Sequence, residues 1–347
     1  MKTLVQITIL CFLLTSCANI VMPTGGEKDV NPPKLLKTFP QNNSVNFKEK
    51  SVFFEFDENI AINKWGENFN LSPIPENPIK YKIKNRTLIL DIENQLQENT
   101  TYSVNLNQCI KDVNEGNVLD NLGFSFSTGT VLDSLNLKGT VIDAITLKPK
   151  PNVRVFLHKS NVNDSLSFKT TPKYATKTNA KGDFIISNLN NENYNLFCIT
   201  GLDYVYHEED LIGFYSSEIT AQDTNKFVLF IYDPLYSRDN KTDSITSDSI
   251  KNNTKIIVNC KLEERVILKL YKENKLVKSS IFDNPPYMIE NIEVGIYELR
   301  LIIDENKNNS WDPGNHKIRK LPEKVYIYKD LINIRENWTF DLDCFIN

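Results

Sequence analysis

The chain predicts an all-β protein of tandem β-sandwiches behind a cleaved N-terminal signal. Three observations carry this. Apolar and polar residues alternate with period two in short runs, as at Ile79, Tyr81 and Ile83 and again at Leu88, Leu90 and Ile92; that period buries one face of a strand. The runs recur at short intervals, with turn-forming Asn, Asp and Gly between them. There are only 12 Gly and 3 Met, while Asn, Thr, Val and Ile are plentiful, a balance that favours strands and turns over helices.

A length of 347 residues holds two or three domains of ~100–150 residues each. The 40 basic and 44 acidic residues are interspersed and sum to −4. No basic stripe exists, which excludes nucleic acid as a partner.

The N-terminus carries Lys2, an apolar run from Leu4 to Leu14, and then Leu14-Thr15-Ser16-Cys17. Residues 1–16 have the layout of a secretory signal peptide. The run is shorter than the ~18–20 apolar residues that span a bilayer, and no later stretch approaches that length. A Leu, two small residues and a Cys resemble the lipobox of bacterial lipoproteins. The resemblance implies cleavage before Cys17, a lipidated (diacylglycerol- and palmitate-bearing) Cys17, and membrane attachment through that lipid. No acidic residue follows among Ala18, Asn19, Ile20 and Val21. In such lipoproteins this implies the outer membrane and its periplasmic face, with exposure at the cell surface as the alternative. Residues 17–33 hold two Gly and three Pro without periodicity and form a tether.

Residues 34–130 form the first sandwich. Val52-Phe53-Phe54-Glu55-Phe56-Asp57 is half-alternating, and residues 79–92 make a hairpin turning at Lys84-Asn85-Arg86. A strand with its entry loop covers Leu96 to Leu106, and Phe124-Ser125-Phe126-Ser127-Thr128-Gly129 closes the unit. Phe56-Asp57-Glu58, Leu96 to Tyr102, Lys111 to Asn117 and Phe126 to Gly129 resemble the bacterial Ig-like domain first described in S-layer proteins. The resemblance implies that Tyr102 forms a tyrosine corner, its phenol bonded to nearby backbone, and that Asp112-Val113-Asn114-Glu115 is a turn.

Residues 131–235 form a second sandwich. It opens at Leu137 to Asp143, continues through Val153 to Leu157, Tyr174 to Ile186 and Tyr194 to Leu196, and ends at Phe227 to Tyr232. It resembles the transthyretin-like (prealbumin-like), carboxypeptidase regulatory-type module, which implies a sandwich with no active site of its own. Asn179 to Asp183 is its tight turn, with Gly182 free to take positive φ. Residues 236–254 are a polar linker, too poor in apolar side chains to pack. Residues 255–347 form a third sandwich whose plan repeats that of the second.

One loop invites chemistry. In residues 304–314, oxygen side chains recur at Asp304, Asn306, Asn308, Ser310 and Asp312. Alternate oxygens on a tight loop suit a hard cation such as Ca²⁺, which takes ~6–8 oxygen ligands. The match is partial: Asn309 stands where a Gly is wanted, and Asn315 where a bidentate Glu would sit. The same residues also make a metal-free polar turn, and no motif requires a cofactor. Trp311, in this loop, is the candidate platform for stacking a glycan or polymer ligand. Trp338 fits a strand pattern and is expected in the core.

After Cys11 and Cys17, the cysteines are Cys109, Cys198, Cys260 and Cys344. Their wide spacing excludes a Cys-x-x-Cys site. They read as buried thiols, with Cys260–Cys344 the best candidate disulfide because both fall in the last unit. The three histidines, His158, His207 and His316, share no motif; His158 is expected at the surface and His207 in a charged loop. Nucleophile elbows, phosphate loops and dinucleotide fingerprints are absent from the sequence. The expected function is a lipid-anchored cell-envelope protein with a non-catalytic structural, adaptor or protein-interaction role. A glycan- or polymer-binding surface lipoprotein, stabilised by Ca²⁺, is the alternative.

Overall fold

The computed structural model describes residues 27–92, 96–161, 167–236, 253–260, 262, 264–343 and 346. Cys17 and the signal region lie outside the described residues. Among those residues no helix is long and apolar enough to cross a membrane.

The first set of strands is β1 (Leu35–Phe39), β2 (Ser51–Phe56), β3 (Ile60–Ile62), β4 (Asn70–Ser72), β5 (Lys80–Lys84), β6 (Thr87–Asp91), β7 (Thr101–Asn105), β8 (Ile110–Asp112) and β9 (Gly123–Ser127), with one helical turn, α1 (Trp65–Asn68). β1-β2-β6-β5 make one sheet, β4-β7-β9 a second, and β3-β8 a pair. The hairpin read from the sequence is β5–β6, turning with Asn85 at φ 53°. Opposed residues share a face, so Leu88 and Leu90 carry Ile83 and Tyr81 to the core side while Lys80, Lys82 and Lys84 face out. Phe54, Phe56, Leu88, Tyr102 and Phe126 fill this core. Tyr102 is the corner the resemblance implied: its hydroxyl accepts the Gln97 N–H at 2.8 Å.

The second set is β10 (Leu135–Asp143), β11 (Arg154–Lys159), β12 (Tyr174–Lys177), β13 (Asp183–Leu189), β14 (Asn193–Ile199), β15 (Ile212–Phe214), β16 (Ile219–Thr220) and β17 (Lys226–Ile231). β13-β10-β17 pack against β12-β11-β14-β15, with β16 also on β14. The predicted turn is present: Asn179 Oδ1 accepts the N–H groups of Lys181 and Asp183, and Gly182 takes φ 74°.

The third set is β18 (Lys255–Asn259), β19 (Val266–Lys272), β20 (Lys275–Phe282), β21 (Tyr287–Glu290), β22 (Gly295–Ile303), β23 (Val325–Ile327), β24 (Ile332–Ile334) and β25 (Thr339–Asp343). Its sheets are β21-β18-β25 and β20-β19-β22-β23, with β24 also on β22. Numbered within each set, both read 4-1-8 and 3-2-5-6 with strand 7 on strand 5. Both also pair first and last strands in parallel, β10 with β17 and β18 with β25.

The three sets do not hang as separate beads. β11 was expected to alternate, yet Arg154 to His158 are all buried. Val155 and Leu157 enter the second core, while Phe156 joins a different cluster with Phe197, Ile199, Ile212 and Phe214. Ile267, Ile302, Trp311 and Val325 of the third set complete that cluster. Two sandwiches are therefore stacked sheet on sheet, and both faces of β11 and β14 are removed from water. The first and second sets meet differently, along a polar seam. Ile74 N–H donates to the Lys173 carbonyl at 2.9 Å, and Ser72 Oγ both accepts the Ala175 N–H and donates to its carbonyl at 3.0 Å.

Candidate functional site

The loop from Asp304 to Glu323 sits where these facts converge. It leaves β22, crosses the seam and returns as β23. Asp304 is 0% exposed; its Oδ1 accepts Asn308 N–H at 3.0 Å and its Oδ2 accepts Asn309 N–H at 2.9 Å. Asn306 and Asn308 accept the next N–H groups in turn, from Asn308 at 3.1 Å and Ser310 at 2.9 Å. The amides of both asparagines donate to Asp312 Oδ2. Asn309 takes φ 67°, the left-handed conformation that Asn tolerates where a Gly would be usual. Among the described residues no group of three or more His, Cys, Asp or Glu is placed to hold a metal. Backbone N–H groups and amides already use the oxygens of Asp304, Asn306, Asn308 and Asp312. The Arg265 guanidinium, 2.8 Å from Asn309 Oδ1, adds a fixed cation beside them.

Glu323 was not singled out by spacing, because it is eleven residues past Asp312. It closes the loop. Its Oε1 accepts Glu305 N–H at 2.9 Å and its Oε2 accepts Asp312 N–H at 3.0 Å. It is 2% exposed. Burial, with the charges of Asp312 and Asp304, pushes its carboxyl up to about 6 against the pull of those N–H groups.

Trp311 corrects the sequence expectation. It is 2% exposed, its Nε1 donates to the Glu323 carbonyl at 2.9 Å, and Tyr236 meets its ring edge-on at 5.1 Å. A ring enclosed this way offers no face to a glycan; it anchors the seam. Trp338 departs from expectation in the other direction. It is 51% exposed, with the Arg335 guanidinium 5.0 Å above the ring. The strand β25 begins one residue later, so the period-two pattern did not extend to position 338.

His158 is likewise not a surface residue. It is 3% exposed, its Nε2 lies 3.0 Å from the Ser167 carbonyl, and burial lowers its pKa. It lies on the same face of β11 as Phe156, the face the sequence reading left to solvent. His207 is in an exposed loop with Asp203 3.2 Å away, and His316 meets Phe168 edge-on at 5.1 Å across the seam. Asp112 forms the expected turn, accepting N–H groups from Glu115, Gly116 and Asn117 at 2.6–2.8 Å. Cys109 and Cys198 are buried free thiols, and burial pushes the Cys109 thiol up to about 12. Cys260 is disulfide-bonded.

A cleft of ≈570 Å³ opens beside the seam, lined by Phe230 and Ala144 on one side and by Arg319, Lys324 and Tyr326 on the other. Glu323, at its wall, is held by the N–H groups of Glu305 and Asp312. The arrangement joins two sandwiches.

No curated protein matches the chain. Solved structures that resemble it include an L,D-transpeptidase from Mycobacterium smegmatis (15% identity, 38% of this chain and 56% of that one, TM-score 0.20). The Bacillus anthracis TIE protein is another (11% identity, 93% and 58%, TM-score 0.20). A third is the N-terminal part of the bacterial S-layer protein SbsC (12% identity, 58% and 44%, TM-score 0.20). The chain thus spans less than two thirds of each of these proteins, and TM-scores this low support no statement on activity. Residues 29–128, the first set of strands, match the family model described as Bacterial Ig-like domain.

Proposed function

We propose that this chain is a lipid-anchored, non-catalytic protein of the cell envelope, acting as a spacer or adaptor that holds a partner protein at a set distance from the membrane. The observation that carries this reading is the buried seam. Phe156, Phe197, Ile302 and Trp311 commit the second and third sandwiches to one block, as a spacer requires and a flexible string of modules does not. The Ig-like first unit and the Cys17 lipobox support the envelope address. On this reading the lipid is attached at Cys17, and the chain stands at the periplasmic face of the outer membrane.

The glycan-binding alternative rested on Trp311 as an open ring and loses that support, since the ring is enclosed. Metabolic labelling with palmitate tests the anchor: the wild-type chain takes up label and Cys17→Ser does not. Label retained by Cys17→Ser contradicts the reading. Protease shaving of intact cells tests the leaflet: survival of the chain supports the periplasmic face, and digestion places it outside.

A further inference from the structure

At one end of the second sandwich, Lys173, Asn190 and Glu192 stand together in a way the spacer reading does not use. Lys173 directly precedes β12, and both sides of its backbone are held. Its N–H donates to Leu157, and its carbonyl accepts Ile74 N–H, each at 2.9 Å. Asn190 follows β13, and Glu192 precedes β14. Lys173 Nζ lies 3.1 Å from Asn190 Oδ1 and 3.2 Å from Glu192 Oε2. Asn190 Nδ2 lies 2.8 Å from Glu192 Oε1. One carboxylate thus bridges an amine and the amide nitrogen of a carboxamide. Tyr174 OH donates to Asn190 Oδ1 at 2.9 Å, and Tyr194 OH also reaches that oxygen. The network fixes the amide's orientation: donors surround Oδ1, and an acceptor faces Nδ2.

We infer that Lys173 and Asn190 are joined by an intramolecular isopeptide bond, formed by the chain itself with Glu192 as the proton carrier. Glu192 takes a proton from the Lys173 ammonium. The freed lone pair attacks Asn190 Cγ, and the carbonyl electron pair moves onto Oδ1, where the two phenols stabilise the developing charge. Glu192 returns its proton to Nδ2, the Cγ–Nδ2 bond breaks, and ammonia leaves with the second proton of the attacking nitrogen as ammonium. The ammonium and carboxamide become a secondary amide and an ammonium ion, with atoms and charge balanced and no oxidant or cofactor needed. The step occurs once per chain and is not turnover.

The surroundings of the amine favour it, against the two lysines at Glu192: burial raises that carboxyl, but Lys159 and Lys173 outweigh it and hold the group below its ordinary range. Burial, opposed by Glu192, lowers the pKa of Lys173, as a nucleophilic lysine requires. Its Nζ rests 5.2 Å from the Tyr174 ring and 6.0 Å from the Tyr194 ring. Burial pushes the Tyr174 phenol up to about 12, so it stays a donor. Lys159, 3.1 Å from Glu192 Oε2, remains as counter-ion once the Lys173 charge is gone. Holding amine and carboxamide within hydrogen-bond distance supplies the proximity such a reaction needs. The bond would link β12 of one sheet to the end of β13 in the other, stapling the sandwich beside the polar seam to the first unit.

Peptide mapping of the full-length chain tests this. Trypsin should release residues 170–177 joined to residues 182–226, lighter than the sum of the two peptides by one ammonia, with no cut after Lys173. Glu192→Gln should give residues 170–173, 174–177 and 182–226 as separate peptides while retaining the wild-type near-ultraviolet circular dichroism. Separate peptides and a cut after Lys173 in the wild-type chain would overturn the inference. Joined peptides at wild-type yield in Glu192→Gln would overturn the role of Glu192.

Discussion

Glu323 shows how one residue ties the loop to the seam. A carboxyl held at about 6 in the folded chain, against an ordinary 4.5, binds its proton more tightly when folded. Folding therefore gains from this group below pH 4.5 and loses the gain as pH rises through 6. The loss is about 2 kcal/mol for a shift of this size. Denaturant unfolding at pH 4.5 and pH 7 should show wild type losing about that much more than Glu323→Gln over the interval. Equal slopes would mean that Glu323 titrates alike in the folded and unfolded chain. Trp311 is the second test at this scale. Replacing a buried Trp with Ala typically removes ~3–5 kcal/mol. Trp311 belongs to the seam cluster and not to the third core. Trp311→Ala is therefore expected to split unfolding of the second and third sandwiches into two calorimetric transitions while each keeps its strands.

At the scale of the element, the hairpin β5–β6, the Tyr102 corner and the Gly182 turn were legible, because each depends on residues close in sequence. The seam was not. A strand buried on one face alternates, whereas β11 and β14 are buried on both faces, and the largely apolar runs Val153 to Leu157 and Tyr194 to Ile199 carried that sign. Reading them as half-exposed placed His158 at the surface and left Trp311 open. The Asp/Asn loop was legible as oxygen-rich, but spacing alone does not say whether backbone or ion takes the oxygens. The last unit supports one further prediction. Cys260, the residue after β18, is disulfide-bonded, and Cys344, the partner expected from the sequence, lies outside the described residues. Non-reducing peptide mapping should recover these two cysteines in one disulfide; Cys260 paired elsewhere would contradict the pairing read from the sequence.

At the scale of the whole molecule, the second and third sets share one strand plan, but their sequences show no plain repeat. The topology is kept by hydrophobic pattern and turns, which many sequences satisfy. The two junctions differ in chemistry, hydrogen-bonded between the first and second sets and apolar between the second and third. The apolar junction makes the second and third sets one stiff block, and cutting the backbone between them tests this. A protease site placed within residues 240–250 of the full-length chain, cleaved under reducing conditions, leaves only the seam to join the pieces. The pieces should co-elute as one species in size-exclusion chromatography and part when Trp311→Ala is added. Separation of the wild-type pieces on cleavage would contradict it.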